Sequence, residues 1–124
     1  MNIFRPNQVD DDWEEVRAEL ERAFQMSRDA ARNEESFVYV VHHDDLLGRR
    51  GAGNAMVATG LLSAARSAAI EGSRKGWTAN VVAYEDGSDP DVVDRWARRL
   101  ATNSEGVTGE LIRIGSGHLG KVLP

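Results

Sequence analysis

Two short, unbroken apolar runs flank one helix-length, alanine-rich segment. Phe37-Val38-Tyr39-Val40-Val41 is the first run and Trp77-Thr78-Ala79-Asn80-Val81-Val82-Ala83-Tyr84 the second. Between them, after a polar and glycine-bearing stretch, lie residues 54–75. Apolar runs without alternation fit strands buried on both faces, and the spacing is that of a β-α-β unit with parallel strands. Upstream, Trp13, Val16, Leu20, Ala23, Phe24, Ser27, Ala30 and Ala31 recur at helical spacing, counting Ser27 as small. Asp10 to Asp12 can cap that helix, and Glu14 and Glu15 suit the positive end of its dipole, so the pattern predicts a helix over about 11–32. Downstream, Ser88 or Asp89 caps a helix with Pro90 at its first position, carrying Val92, Val93, Trp96 and Leu100. It fails near Thr102-Asn103-Ser104, and a last strand runs over Gly109–Ile114 into a flexible Gly-Ser-Gly tail. The order helix, strand, helix, strand, helix, strand predicts an α/β layer fold with a small parallel sheet of about three strands. Residues 1–9 read as an N-terminal arm broken by Pro6 and Asn7, and residues 10–124 as a single domain.

The middle helix differs from the others. Ala55, Ala58, Gly60, Ala64, Ala65, Ala68 and Ala69 make it small-sided around much of its circumference, while Met56, Leu61, Leu62 and Ile70 supply bulk. Such a helix is expected to pack against its sheet and against something else.

Length and charge narrow the function classes. A chain of 124 residues suits one core, and a formal net charge of −5 argues against a nucleic-acid or acidic-membrane surface. With no cysteine, no disulfide framework or thiolate metal site can form, which fits the cytoplasm. No secretory signal follows Met1, and no apolar run approaches the ~20 residues that span a bilayer.

Two stretches invite chemistry. Gly48-Arg49-Arg50-Gly51-Ala52-Gly53 precedes a helix, with Glu85 and Asp86 ending the next strand. A helix N-terminus and a downstream acid are the parts of a dinucleotide site. The spacing, however, is not G-x-G-x-x-G, and the acid lies about thirty residues on rather than ~20. A loop feeding a helix is the reading we adopt. His42-His43-Asp44-Asp45 offers imidazole and carboxylate for metal binding or proton transfer. Adjacent residues leaving a strand point opposite ways, so few of the four can converge and an ordinary polar loop is expected. Yet this is the strand end at which open sheets hold ligands.

Read together, the segments resemble the C-terminal half of a short-chain dehydrogenase/reductase of the 3-oxoacyl-carrier-protein reductase type. Asp12-Trp13-Glu14-Glu15-Val16 is similar to the start of the helix before that family's catalytic-serine strand, and Phe37–Val41 to the strand itself. Residues 63–71 followed by Lys75-Gly76-Trp77-Thr78-Ala79-Asn80-Val81-Val82-Ala83 resemble the end of the catalytic helix and the strand after it. Arg99-Leu100-Ala101-Thr102-Asn103, then Val107-Thr108-Gly109-Glu110-Leu111-Ile112-Arg113-Ile114-Gly115-Ser116-Gly117, resemble the closing helix and strand. The fold implied is a truncated Rossmann-like layer fold.

The departures fall on the family's chemistry. Its cofactor-binding half should precede residue 10, where too few residues exist to form it. Counting back from Asn80, the catalytic tyrosine position holds Asn54 and the lysine position Ala58. The serine position falls at Val41 or His42 and the active-site asparagine at Glu19 or Leu20. The reaction needs a phenol made acidic by a nearby ammonium, which Asn54 and Ala58 cannot supply. The resemblance therefore implies a catalytically inactive half-reductase, without cofactor or metal. It would act as an oligomerising interaction protein or as the non-catalytic partner of a full-length short-chain reductase. The helices at 11–32 and 51–75 match the pair that forms a four-helix bundle between subunits in the family, which marks Leu20, Phe24, Met56, Gly60, Ala64 and Ser67 as interface candidates. The strand Phe37–Val41, apolar on both faces, is expected at a sheet edge, where it would need cover. The alternatives are a small enzyme with new chemistry at His42–Asp45, or a small-ligand or nucleotide-binding module.

Overall fold

The computed structural model describes residues 1–102 and 105–116. In chain order the elements are β1 (Asn2–Phe4), α1 (Trp13–Arg32), β2 (Phe37–His42), α2 (His43–Leu46), α3 (Ala52–Ser73), β3 (Ala79–Tyr84), α4 (Pro90–Thr102) and β4 (Leu111–Ile114). All four strands are parallel, in the order β1-β2-β3-β4. The sheet thus has four strands rather than about three. The extra one, Asn2–Phe4, lies within the expected arm and pairs with Phe37–Tyr39. It also moves β2 from the expected edge to the interior, which explains how six consecutive residues of β2 can all be buried.

Side-chain alternation divides the core into two layers. Phe37, Tyr39 and Val41 of β2, with Val81 and Ala83 of β3, face α1 and α3. Val38 and Val40 of β2, with Val82 of β3, face α4 through Val93, Ala97 and Leu100. A two-sided apolar strand is what helices on both faces of a parallel sheet require.

Helix α1 begins where the acids predict: the Asp12 side chain accepts the Glu14 N–H at 3.0 Å. Its buried line is Val16, Glu19, Ala23 and Ala30, while Trp13 and Phe24 of the expected apolar face are more than half exposed. Glu19 is the unexpected member. Its carboxylate accepts the Arg22 Nε–H at 2.7 Å and the Asn7 N–H at 2.6 Å; these bonds satisfy it and, against the opposing effect of burial, hold it below the usual carboxylate range.

Close approach explains two glycines of α3. A Cβ on Gly53 would lie 2.5 Å from the Asp10 carbonyl oxygen, and one on Gly72 would collide with the backbone and ring of Trp77. The chain before α1 therefore crosses directly over the start of α3, and Trp77 is sealed beneath its end. The closing strand starts at Leu111, two residues later than expected, because 107–110 is held instead by Asn80: its Nδ2 donates to the Val107 carbonyl and its Oδ1 accepts the Glu110 N–H. Of the tail foreseen as flexible, residues from Gly117 onward lie outside the described residues. No helix among the described residues is long and apolar enough to cross a membrane.

Candidate functional site

A cavity of about 290 Å³ opens at the C-terminal ends of β2 and β3. Its walls are the segment Arg5–Gln8, the start of α3 with Arg50, Asn54, Val57 and Ala58, the turn Tyr84–Ser88, and Pro90 and Val93 of α4. His42 and Asp45 also line it, whereas His43 and Asp44 do not.

The stretch His42–Asp45 is not the polar loop expected. It is one helical turn, α2, with His42, His43 and Asp45 buried. His42 is the N-cap: its Nδ1 accepts the Asp44 N–H at 3.1 Å. A nitrogen that accepts carries no proton, so in the neutral ring the proton sits on Nε2, which donates to Asp86 Oδ1 at 2.7 Å. That bond holds the Asp86 carboxyl below its ordinary range. The Tyr84 ring meets the imidazole edge-on at 5.2 Å. Asp45 takes a two-pronged bond from Arg50, at 2.9 Å from Nε and 3.3 Å from Nη2. His43 is turned away from the cavity, and burial lowers its pKa against an opposing pull from Glu85.

The four polar residues therefore do not converge: His42 and Asp45 face the cavity with different partners, and His43 and Asp44 do not line it. His42, Asp44 and Asp86 bring one potential ligand atom each within 4.8 Å of one another. Both imidazole nitrogens are already engaged, however, so a cation at His42 would have to displace either the helix cap or the Asp86 bond. The trio is built as a hydrogen-bonded cap.

Asn54, where the sequence resemblance expects a catalytic phenol, is buried and holds the backbone together. Its Oδ1 accepts the Val9 N–H and its Nδ2 donates to the Arg50 carbonyl, both at 2.8 Å. Ala58 is 1% exposed, its methyl in the core. Arg5 and the Asn54 bond to Val9 were not visible as site features in the sequence, the bond because it joins residues 45 apart; Arg50 lay in the glycine-bearing stretch before the helix, and Asp86 carried a signal as the acid ending a strand.

A second concavity, a groove of about 650 Å³, runs between α1 and α3. Leu20, Phe24, Gly60, Ala64 and Ser67 line it, with Phe37, Tyr39 and Trp77 beneath. Met56, the sixth interface candidate, is 56% exposed but outside the groove, and Gly60 packs within the chain, where an added Cβ would sit 3.6 Å from Leu20. Ser27 Oγ donates to the Ala23 carbonyl at 2.7 Å, so the Tyr39 hydroxyl, 2.5 Å away, donates to Ser27. The Trp77 Nε1–H is buried and has no partner among the described residues.

No protein-family profile and no curated protein matches the chain. Solved structures do. An oxidoreductase of the short-chain dehydrogenase/reductase family from Burkholderia thailandensis superposes with a TM-score of 0.74 at 20% identity, over 94% of this chain and 63% of its own. The enoyl-[acyl-carrier-protein] reductase (NADH) from Aquifex aeolicus VF5 superposes with a TM-score of 0.70 at 13% identity, over 94% and 60%. The chain therefore has the Rossmann-like fold of these reductases and spans less than two-thirds of their length.

Proposed function

We propose that this chain is a catalytically silent reductase-fold protein that acts by association, with a second copy of itself or with a full-length short-chain reductase, through α1 and α3. The observation that carries the reading is the state of Asn54. At the place where the resemblance puts a proton-donating phenol stands a buried carboxamide whose two ends are committed to the Val9 N–H and the Arg50 carbonyl. A carboxamide does not exchange protons near neutral pH, and the methyl of Ala58 supplies no ammonium to help it. Neither cofactor nor metal belongs to this reading, and the net charge of −5 gives no reason to add nucleic acid or a membrane surface.

Support for association comes from the exposed surface of α1 and α3. Phe24, Met56 and Ile70 are each more than half exposed on α1 and α3. The groove between those helices carries a buried donor at Trp77 that has no partner among the described residues. Exposed aromatic and aliphatic groups beside a concave apolar surface mark contact sites. Sedimentation of the purified 13.6 kDa chain, alone and mixed with a full-length short-chain reductase, tests the association, and NADPH oxidation with carbonyl substrates tests the silence. The expected results are a species of at least twice the chain mass, or a mixed complex, and no turnover above blank. A monomer under both conditions, or steady NADPH consumption, would overturn the reading.

A further inference from the structure

We propose that the cavity at the C-terminal ends of β2 and β3 binds a small zwitterion, an α-amino acid with a short apolar side chain, holding its ammonium at Asp86 and its carboxylate at Arg50. The argument is one of unfilled bonding capacity. Among the charged groups at the cavity, Asp45 is spanned by Arg50, Glu85 faces Arg113 at 3.5 Å, and Arg5 reaches Asp94 at 3.1 Å. Asp86 differs. Its contact is with the Nε2 of His42, whose other ring nitrogen, Nδ1, accepts the Asp44 N–H. Apart from that contact, Asp86 meets no Arg or Lys within ion-pair distance among the described residues. Arg50 commits Nε and Nη2 to Asp45 and retains Nη1. It lies close enough to stabilise the Asp86 carboxylate through space, yet forms no ion pair with it.

A carboxylate and a guanidinium that face one cavity without closing on each other leave a gap for a molecule carrying both complementary charges. Asn54 has a second Nδ2–H to offer the same carboxylate, since its first goes to Arg50. Behind these groups Val40, Val57, Ala58 and Val93 supply an apolar wall. The space of about 290 Å³, roughly ten waters at about 30 Å³ each, has room for valine. Lone carboxylates fit poorly, because nothing on them meets Asp86, and lone amines leave Arg50 unanswered.

Calorimetric titration of the full chain with L-valine, isovalerate and isobutylamine separates the two charges. Valine is expected to bind saturably with a Kd at or below about 1 mM, and each single-charge analogue at least about tenfold more weakly. Asp86→Asn is the variant of choice, because 84% of that side chain is exposed and the carboxamide oxygen can still accept the His42 N–H. It should weaken valine at least about tenfold with circular dichroism and thermal midpoint unchanged. Absence of saturable binding up to about 10 mM, an analogue that binds as well as valine, or undiminished binding by the variant would each overturn the proposal. The association is read separately by mass, so failure here leaves it standing.

Discussion

Asn54 Oδ1 accepts the Val9 N–H at 2.8 Å, joining residues 45 positions apart at the point where the chain before α1 crosses α3. A further bond fastens the same crossing, Gly53 N–H to Asp11 Oδ1 at 2.8 Å, and Asn7 N–H to Glu19 at 2.6 Å ties the segment to α1. Replacement of Asn54 by the near-isosteric leucine strands the buried Val9 N–H and the Arg50 carbonyl together. Each orphaned group costs about 1–3 kcal/mol, so Asn54→Leu should lose about 3 kcal/mol in urea unfolding. A loss below about 1 kcal/mol would mean that water replaces the carboxamide freely.

The same geometry bears on an attempt to restore a reductase. Tyrosine at 54 cannot both accept from Val9 and donate to Arg50 from the carboxamide's place. Lysine at 58 would put an ammonium where a methyl is 1% exposed. The double variant N54Y/A58K should therefore be less stable than Asn54→Leu and should reduce no carbonyl substrate with NADPH. Measurable reduction would show that the site lacks only those two side chains.

How much of this was legible in the chain depends on the range of each interaction. The parallel sheet and its three long helices were, because Phe37–Val41, the second apolar run and the period of α1 are local patterns. Strand β1 was not: three residues, one of them Asn2, are too few to show alternation, and only pairing with Phe37–Tyr39 makes them a strand. Glu19 was hidden for another reason. It stands three residues after Val16 and four before Ala23, on the buried line, but a carboxylate there is read as a solvent face until Asn7 and Arg22 are seen to satisfy it. The convergence of His42, Asp86 and Arg50 on one cavity depends on sheet register, which places His42 beside Tyr84.

Burial sets a pH dependence at His43. Its folded-state pKa lies below the ordinary histidine value, chiefly because burial penalises the imidazolium, with Glu85 pulling the other way. In the unfolded chain the group protonates first as pH falls, so the unfolded state binds more protons. The contribution of His43 to stability is therefore complete above about pH 6.5 and is lost as pH falls from there through the folded value. Thermal midpoints measured between pH 8 and pH 5 should fall less steeply for His43→Gln than for the parent chain. Parallel curves would show that His43 titrates in the fold as it does in water.

The association face offers a variant that separates folding from assembly. Gly60→Glu is ambiguous, since Gly60 meets Leu20 within the chain and a side chain there disturbs α1 against α3. Ala64 lines the groove yet is itself exposed, so a single copy accepts glutamate with little cost. In a twofold pair the substitution enters the shared surface twice. A charge forced into the apolar centre of an interface of at least roughly 1,200 Å² costs about 2 kcal/mol or more per copy, and every 1.4 kcal/mol is tenfold in affinity. Ala64→Glu should thus weaken self-association by at least about a hundredfold while leaving the urea midpoint of the monomer in place. Sedimentation equilibrium over a micromolar range reads both chains directly. Equal masses for parent and variant would remove the α1 and α3 face from the interface, and a parent chain that is monomeric throughout would remove self-association itself.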